Sequence, residues 1–585
     1  MCEGIPPPAP EPTSPKKSGV ETVKETSRFL RGQIVTELND GTDHVSKDSY
    51  NLLKFHGTYQ QEDRDARKLR DRTGVHKHYM FMVRCKIPGG KVTADQYLAL
   101  DRLAGEYANG TIRFTTRQGV QFHGVVKQDL HATIAGINQS LLTTLGACGD
   151  VERNVMCCPA PIRGPRDELQ AAANRIAAHL APRSTAYHEL WLNGVPFKEQ
   201  SGASDSEPIY GKAYLPRKFK TGVVLPEDNC IDVYAQDLGF VADVQGGRIA
   251  GYDVLCGGSM GMTHGNPNTF PYVAKPVGWI PESDLLRMAE AVVCLFRDHG
   301  NRADRRRARL KYVLHEWGVP KFRAVLEGYY GSPLAEPRLK PGLYREFDLH
   351  HGWQPQEDGR WFYGLSIENG RVKDDGNFRL RTALRTVVES LRPNLRITPS
   401  QDVLLCDLPA EAKREIESRL VEFGVRRPDQ ISKVRKLSMA CPAIPTCGLA
   451  LSESERALPG IVDQLEAELA RLGLADEKLT VRMTGCPNGC ARPYQSDIGI
   501  VGRSGDKFTL FVGGRPLGDR LNFMVKDLVP LQQIVPTLIP LLEAFVRERQ
   551  GDEGFGDYCT RVGVKRLQDL LATAEVASAK GVTAD

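Results

Sequence analysis

Four cysteines stand in two close pairs near the end of the chain, and thiols at this spacing can hold a metal or pass electrons. In ACPAIPTCGLA, five residues separate Cys441 from Cys447, and in TGCPNGCARP, three separate Cys486 from Cys490. Pairs about forty residues apart suit a single tetrahedral thiolate site or an iron–sulfur cube. Short loops containing Pro and Gly can turn all four sulfurs inward. They also bring backbone N–H groups to the sulfurs, which helps set a cluster's potential. Zinc favours shorter spacing between paired ligands, so Cys-x5-Cys fits it poorly. A redox disulfide usually uses Cys-x-x-Cys, which is absent. Spacing alone therefore favours a cluster and leaves the other two open.

A second set of residues could hold an anion. Arg84 lies on the strand before Pro88-Gly89-Gly90, Arg113 and Arg117 in TIRFTTRQGVQFHGVV, Arg153 in ERNVMCC, and Lys218 and Lys220 in LPRKFKTGVV. Residues two apart on a strand point the same way, so both lysines can reach one anion. Taken singly, each of these cations reads as a solvated surface residue. In RADRRRARLK, the positions of Arg302, Arg305, Arg306 and Arg309 suit one face of a helix. That face is either solvated or a nucleic-acid patch.

These groups must be positioned by a chain of 585 residues, 41% hydrophobic and 25% charged, enough for several domains. A formal charge of +5 argues against a nucleic-acid coat. No apolar run is long enough to span a membrane. Residues 1–28 open Pro-rich without an apolar h-region and read as a disordered tail, so cytoplasm is the expectation. Most of the 14 cysteines, such as Cys230, Cys294 and Cys406, stand singly in apolar stretches and read as buried structural thiols. Residues 29–75 read as an extended arm. Residues 76–149 follow as a compact unit: the strand YMFMVRCKI, a helix over 94–106, two strands about a tight turn, and a helix over 129–146. A similar unit recurs over 341–428, with GRWFYGLSIENGRV as a hairpin, a helix over 378–391, paired strands in LRITPSQDVLLCDL and a helix over 410–423. IRFTTRQGVQ aligns with LRITPSQDVL, matching Arg113, Thr115 and Gln118 to Arg396, Thr398 and Gln401, so an internal duplication is expected. Residues 150–340 alternate helices and strands. Residues 429–585 hold the clustered cysteines, three β-like stretches and a closing helix near 529–548.

ACPAIPTCGLA and TGCPNGCARPY resemble the paired cysteine motifs of the siroheme sulfite and nitrite reductases, and the resemblance runs from about residue 30 to 565. It is nearest to the assimilatory sulfite reductase hemoproteins. It implies an α+β fold: duplicated ferredoxin-like half-domains plus siroheme- and [4Fe–4S]-binding domains about a pseudo-twofold. It implies that Cys441, Cys447, Cys486 and Cys490 hold the cluster and that Cys490 also bridges to the siroheme iron. Arg84, Arg153, Lys218 and Lys220 would hold sulfite and deliver protons. Arg113, Arg117, Gln121, His123, Asn154, Arg309 and Asn488 would contact the cofactors. Arg309 stands where the family often has Lys. Siroheme nitrite reductases often have Asn at the position of Lys220, so this lysine favours sulfite.

No GxGxxG opens a helix after a strand, and CGGSMGMTHG lacks dinucleotide spacing and reads as a loop, which the resemblance places near the siroheme. Electrons would therefore come from a partner, either an NADPH flavoprotein or a ferredoxin. The resulting expectation is six-electron reduction of sulfite to sulfide, with no nucleic-acid or membrane partner. The competing readings are a nitrite reductase on the same scaffold and a non-catalytic metal-stabilised binding protein.

Overall fold

The computed structural model describes residues 16–67, 77–184, 207–338 and 347–581, with Ala186 and the pairs 191–192 and 195–196. Strands β1 (Thr58–Glu62), β2 (Tyr79–Arg84), β3 (Lys91–Val92), β4 (Ile112–Phe114) and β5 (Val120–Val125) come first. Next are β6 (Met156–Cys157), β7 (Thr221–Val224), β8 (Leu238–Gln245), β9 (Arg248–Cys256) and β10 (Lys275–Pro281). Then come β11 (Gly352–Pro355), β12 (Trp361–Leu365), β13 (Arg371–Val372), β14 (Asn394–Ile397) and β15 (Val403–Leu408). Last are β16 (Ser438–Ala440), β17 (Val481–Thr484), β18 (Ile498–Ser504), β19 (Lys507–Val512) and β20 (Phe523–Pro530).

These strands build two matched pairs of sheets. In the first pair the orders are β1-β2-β5-β4-β13 and β11-β12-β15-β14-β3. Each half therefore lends one short strand to the other half's sheet: Lys91 pairs with Arg396, and Arg371 with Arg113. The expected hairpin in GRWFYGLSIENGRV is thus corrected, because β12 and β13 belong to different sheets. The crossing needs glycine at one position in each half. A Cβ on Gly90 (φ +74°) would stand 2.3 Å from Ile397 O, and one on Gly370 (φ +71°) 2.3 Å from Phe114 O. The turns that aligned in the sequence are built alike. Gln118 and Gln401 both take positive φ, and their N–H groups donate to Thr115 O and Thr398 O. The Gln118 amide also donates to Gly89 O and Ile397 O, both at 3.1 Å, fastening one half to the other.

The second pair has orders β6-β7-β8-β9-β10 and β16-β17-β18-β19-β20, with the first three strands parallel and the last two antiparallel in each. Where β7 leads towards β8, Asp232 takes a left-handed conformation, and where β17 leads towards β18, Arg492 does the same. These two residues meet as a buried ion pair, joined by Arg482 at 2.8 Å. The duplication is thus tied together at equivalent points. One apolar core runs through the first three strand groups, and a separate one lies under β16–β20 and their helices.

Several sequence expectations are corrected. Residues Gly19–Thr26, expected in the disordered tail, form a helix. Its buried Lys24 lies 2.6 Å from Glu21 and donates to Leu215 O at 2.7 Å. Arg302 pairs with Glu21, and Arg305 reaches Asp150 at 3.0 Å. RADRRRARLK is therefore no helical face: Asp304 caps a short 3-10 turn over Arg305–Arg307, and the following helix begins at Leu310. Glu21→Ala would take the nearest carboxylate from Lys24 and Arg302, leaving Lys24 only Asp150 at 3.6 Å, and is expected to lower stability by about 3 kcal/mol, read by chemical denaturation. The arm is not extended either. It folds into Ile34–Leu38 and Lys47–Leu53, the latter capped by Ser46, before β1 joins the sheet edge. The helix expected over 129–146 ends at Gln139, and the last region has five strands and a further helix, Phe555–Gly581, beyond Ile534–Glu548. No helix among the described residues is long and apolar enough to cross a membrane.

Candidate active site

Cys441 and Cys486 lie just beyond the ends of the adjacent parallel strands β16 and β17. Backbone bonds shape both loops. Cys441 N–H donates to Met483 O at 3.2 Å, and the N–H groups of Leu451 and Ser452 donate to Gly485 O at 2.7 and 3.0 Å. Gly485 N–H points at Cys441 Sγ (3.4 Å), and Asn488 Nδ2 lies 3.5 Å from Cys486 Sγ. From the N-terminal arm, Arg64 donates to Ala450 O at 2.6 Å and Cys447 O at 3.3 Å. Cys441 and Cys486 are buried, Cys447 is partly buried, and Cys490 is exposed.

Burial pushes the Cys441 thiol up to about 12, and the charge of Cys490 adds to it. Burial and then Cys490 also raise Cys447 and Cys486, so the sulfurs face a common space. No three of them lie within 4.8 Å of one another. A single zinc ion, with Zn–S of ~2.3 Å, would hold its sulfurs about 3.8 Å apart. The wider spread suits a cube.

Lys218 and Lys220 flank Phe219, which is buried and bridged to Glu152, so both amines lie on the other side of this extended segment. Among the described residues neither amine has a hydrogen-bond or ion-pair partner. Burial pushes Lys218 down to about 7, with Arg309 adding to the shift and Cys490 opposing it. Burial, then Lys218, Arg117 and Arg309, push Lys220 well down. Such uncompensated cations call for an anionic ligand.

The other expected residues divide by their partners. Arg84 Nη1 lies 2.7 Å from Cys148 Sγ and sits opposite Gln121 in the β2–β5 register. Arg153 donates to Gly149 O at 2.8 Å; burial opposes its charge, but Tyr59 and Cys148 hold its pKa above the usual value. Arg117 donates to Gln236 Oε1 at 2.6 Å and to Asn154 O, and burial lowers it to about 9. Asn154 donates to Ile87 O and Arg117 O, while its buried Oδ1 has no partner among the described residues. Arg113 and Arg309 already have carboxylate partners. Arg113 pairs with Glu455, which Arg371 also grips at 2.7 Å, and Arg371 reaches His123 Nδ1 at 3.2 Å. Arg309 holds Asp237 at 2.6 and 3.2 Å.

Glu455, Asp237 and Lys311 escaped the sequence reading. Lys311 donates to Gly261 O at 2.6 Å, and burial pushes its pKa down to about 6. The only signal was its place at the end of the basic run. CGGSMGMTHG is a loop, as expected, and lies against the second cysteine motif, with Met262 N–H donating to Pro487 O at 2.9 Å.

A duplicated α+β shell with four thiols spaced for an iron–sulfur cube, beside cations without counter-ions, defines a redox scaffold for an anionic cofactor and substrate. The chain belongs to the nitrite and sulfite reductase family. Its residues 171–334 and 432–578 match the nitrite and sulphite reductase 4Fe-4S domain, and 75–140 and 354–423 match the nitrite/sulfite reductase ferredoxin-like half domain. It is 43% identical to the sulfite reductase [NADPH] hemoprotein beta-component of Staphylococcus saprophyticus, covering 94% of this chain and 96% of that one. It is 42% identical to the sulfite reductase [ferredoxin] of Synechococcus elongatus, covering 98% and 94%. Among solved structures it resembles the Mycobacterium tuberculosis NirA protein, with a TM-score of 0.75, 25% identity, and 94% and 98% of the two chains covered.

Proposed function

We infer that this chain is the hemoprotein of an assimilatory sulfite reductase, reducing sulfite to sulfide with six electrons. The observation that carries this reading is the pair Lys218 and Lys220, unpaired among the described residues, with Lys218 within electrostatic reach of Cys490. The thiols of Cys441, Cys447, Cys486 and Cys490 would hold the [4Fe–4S] cluster, and Cys490, the exposed member, is the one open to the siroheme side. When bound, these groups supply the electron storage and the iron at which sulfur is reduced.

The chain's own residues supply charge, protons and position. Lys218 and Lys220 grip the substrate oxygens as point charges. Arg84 and Arg153, held by Cys148 and Gly149 O, add fixed donors beside them. An amine whose pKa is lowered to about 7 gives up a proton readily, so Lys218 is suited to protonating oxygens that leave as water. Arg117, Gln121, His123, Asn154, Arg309 and Asn488 contact the cofactors. Arg113 shares Glu455 with Arg371, so the three groups keep one positive charge within reach of Cys441 and Cys490.

Electrons come from a partner protein, an NADPH flavoprotein or a ferredoxin; the relatives include proteins named for each donor. Thiolate ligands of an iron–sulfur cluster must stay reduced, which suits the cytoplasm. Comparing kcat/KM for sulfite and nitrite tests the reading. Sulfite is expected to win, and a strong preference for nitrite would place the chain with the nitrite reductases. Lys220→Asn is expected to cost sulfite turnover more than nitrite turnover, by about tenfold. Equal losses would remove Lys220 as a selectivity determinant.

A further inference from the structure

Cys230, read from the sequence as a lone structural thiol, is not alone. Cys158, Asp228, Cys230 and His350 are all buried, and one ligand atom from each lies within 4.8 Å of all the others. Cys158 Sγ is 3.3 Å from Asp228 Oδ2 and 3.5 Å from His350 Nε2, and His350 Nε2 is 3.2 Å from Asp228 Oδ2. This set is tighter than the cluster quartet and has the span of a single tetrahedral ion.

The surroundings hold these groups in place. Asp228 Oδ1 accepts from Cys230 N–H at 3.2 Å, which leaves Oδ2 facing Cys158 and the imidazole. On the far side of the ring, His350 Nδ1 lies 3.4 Å from Asp348 Oδ2, and His350 N–H donates to Asp348 Oδ1 at 2.7 Å. A carboxylate behind a ligating imidazole fixes its tautomer and raises its basicity. Arg166 stands 3.5 Å from Asp228 Oδ2. Two thiolates and a carboxylate around a divalent cation leave one negative charge, which this guanidinium balances.

The duplication explains why the group exists. Met156 and Cys157 pair with Gly222 and Val223 as Met439 and Ala440 pair with Arg482 and Met483. Cys158 therefore follows β6 as Cys441 follows β16. Cys230 lies as far beyond β7 as Cys490 lies beyond β17, each two residues before the left-handed Asp232 or Arg492. In the same alignment Pro226 replaces Cys486 and Asp228 replaces Asn488. This half thus keeps two of the four sulfurs. Asp228 and His350 complete a smaller coordination shell than a cube requires.

We propose that Cys158, Asp228, Cys230 and His350 form a site for one divalent cation of the zinc class, distinct from the catalytic centre. It clips β6 and the loop after β7 to the segment entering β11. The probe is Zn2+ added to the reduced, full-length holoprotein, followed by desalting and elemental analysis. About one zinc per chain is expected beside the iron, with a zinc K-edge shell of two sulfurs at ~2.3 Å and two nitrogen or oxygen atoms at ~2.0–2.2 Å. Asp348→Ala, at a largely exposed position behind His350, is expected to weaken zinc affinity by about 10–100-fold with iron content unchanged. Cys230→Ser should lose the zinc. The proposal is overturned if the wild-type protein retains no zinc, if the shell contains four sulfurs, if both variants keep zinc at full affinity, or if mass spectrometry finds Cys158 and Cys230 joined as a disulfide.

Discussion

Cys490→Ser is expected to abolish sulfite reduction in a chain that still folds. Cys490 is the exposed member of the quartet, so its side chain contributes little to the core. Its backbone carbonyl accepts from Thr116 Oγ1 at 3.2 Å, a bond the substitution keeps. A serine oxygen is a hard ligand and a poor replacement for a soft thiolate at iron–sulfur centres. Sulfide formation should fall below about one thousandth of the parent rate. Denaturant unfolding of the variant should stay close to that of the parent protein prepared without cofactors. Sulfide production near the normal rate would remove Cys490 from its shared role. Cys441→Ser offers the contrast. That thiol is buried and receives Gly485 N–H, so the variant should lose both cluster iron and stability.

Lys218→Met should separate activity from stability. The two amines have no counter-ions among the described residues, and each raises the cost of charging the other. Removing one relieves repulsion, so the cofactor-free chain is expected to be as stable as the parent or more so. Catalysis should move the other way. Loss of one preorganised donor to a developing charge costs about 10²–10³ in kcat. Arg309→Met should differ in stability, because it strands the buried Asp237 carboxylate and should lower Tm. If Lys218→Met destabilised the chain while leaving turnover intact, the lysine would be structural.

The quartet was legible because its ligands are close in sequence and because Pro and Gly announce their loops. The duplication was legible because Arg, Thr and Gln recur at equal offsets in a turn whose geometry demands them. What stayed hidden depends on contacts between distant residues. The exchange of β3 and β13 joins residues 305 and 258 positions apart. No local periodicity records such pairing. The run RADRRRARLK has helical spacing, yet Asp304 and the acidic partners Glu21 and Asp150 hold it in a turn. Arg113 meets Glu455, which arrives from far along the chain and is shared with Arg371. The grouping of Cys158 with Cys230 and His350 was hidden for the same reason. Each residue reads alone until the sheets bring them together.

The most direct test of the account is the number of electrons consumed per sulfide formed. Purified holoprotein would be supplied with sulfite and a limiting, chemically reduced electron donor in the absence of oxygen. One sulfide for every six electrons is expected, from a protein with a siroheme Soret band and cluster iron. A protein that binds neither group, or that consumes electrons with sulfite present and releases no sulfide, would contradict it.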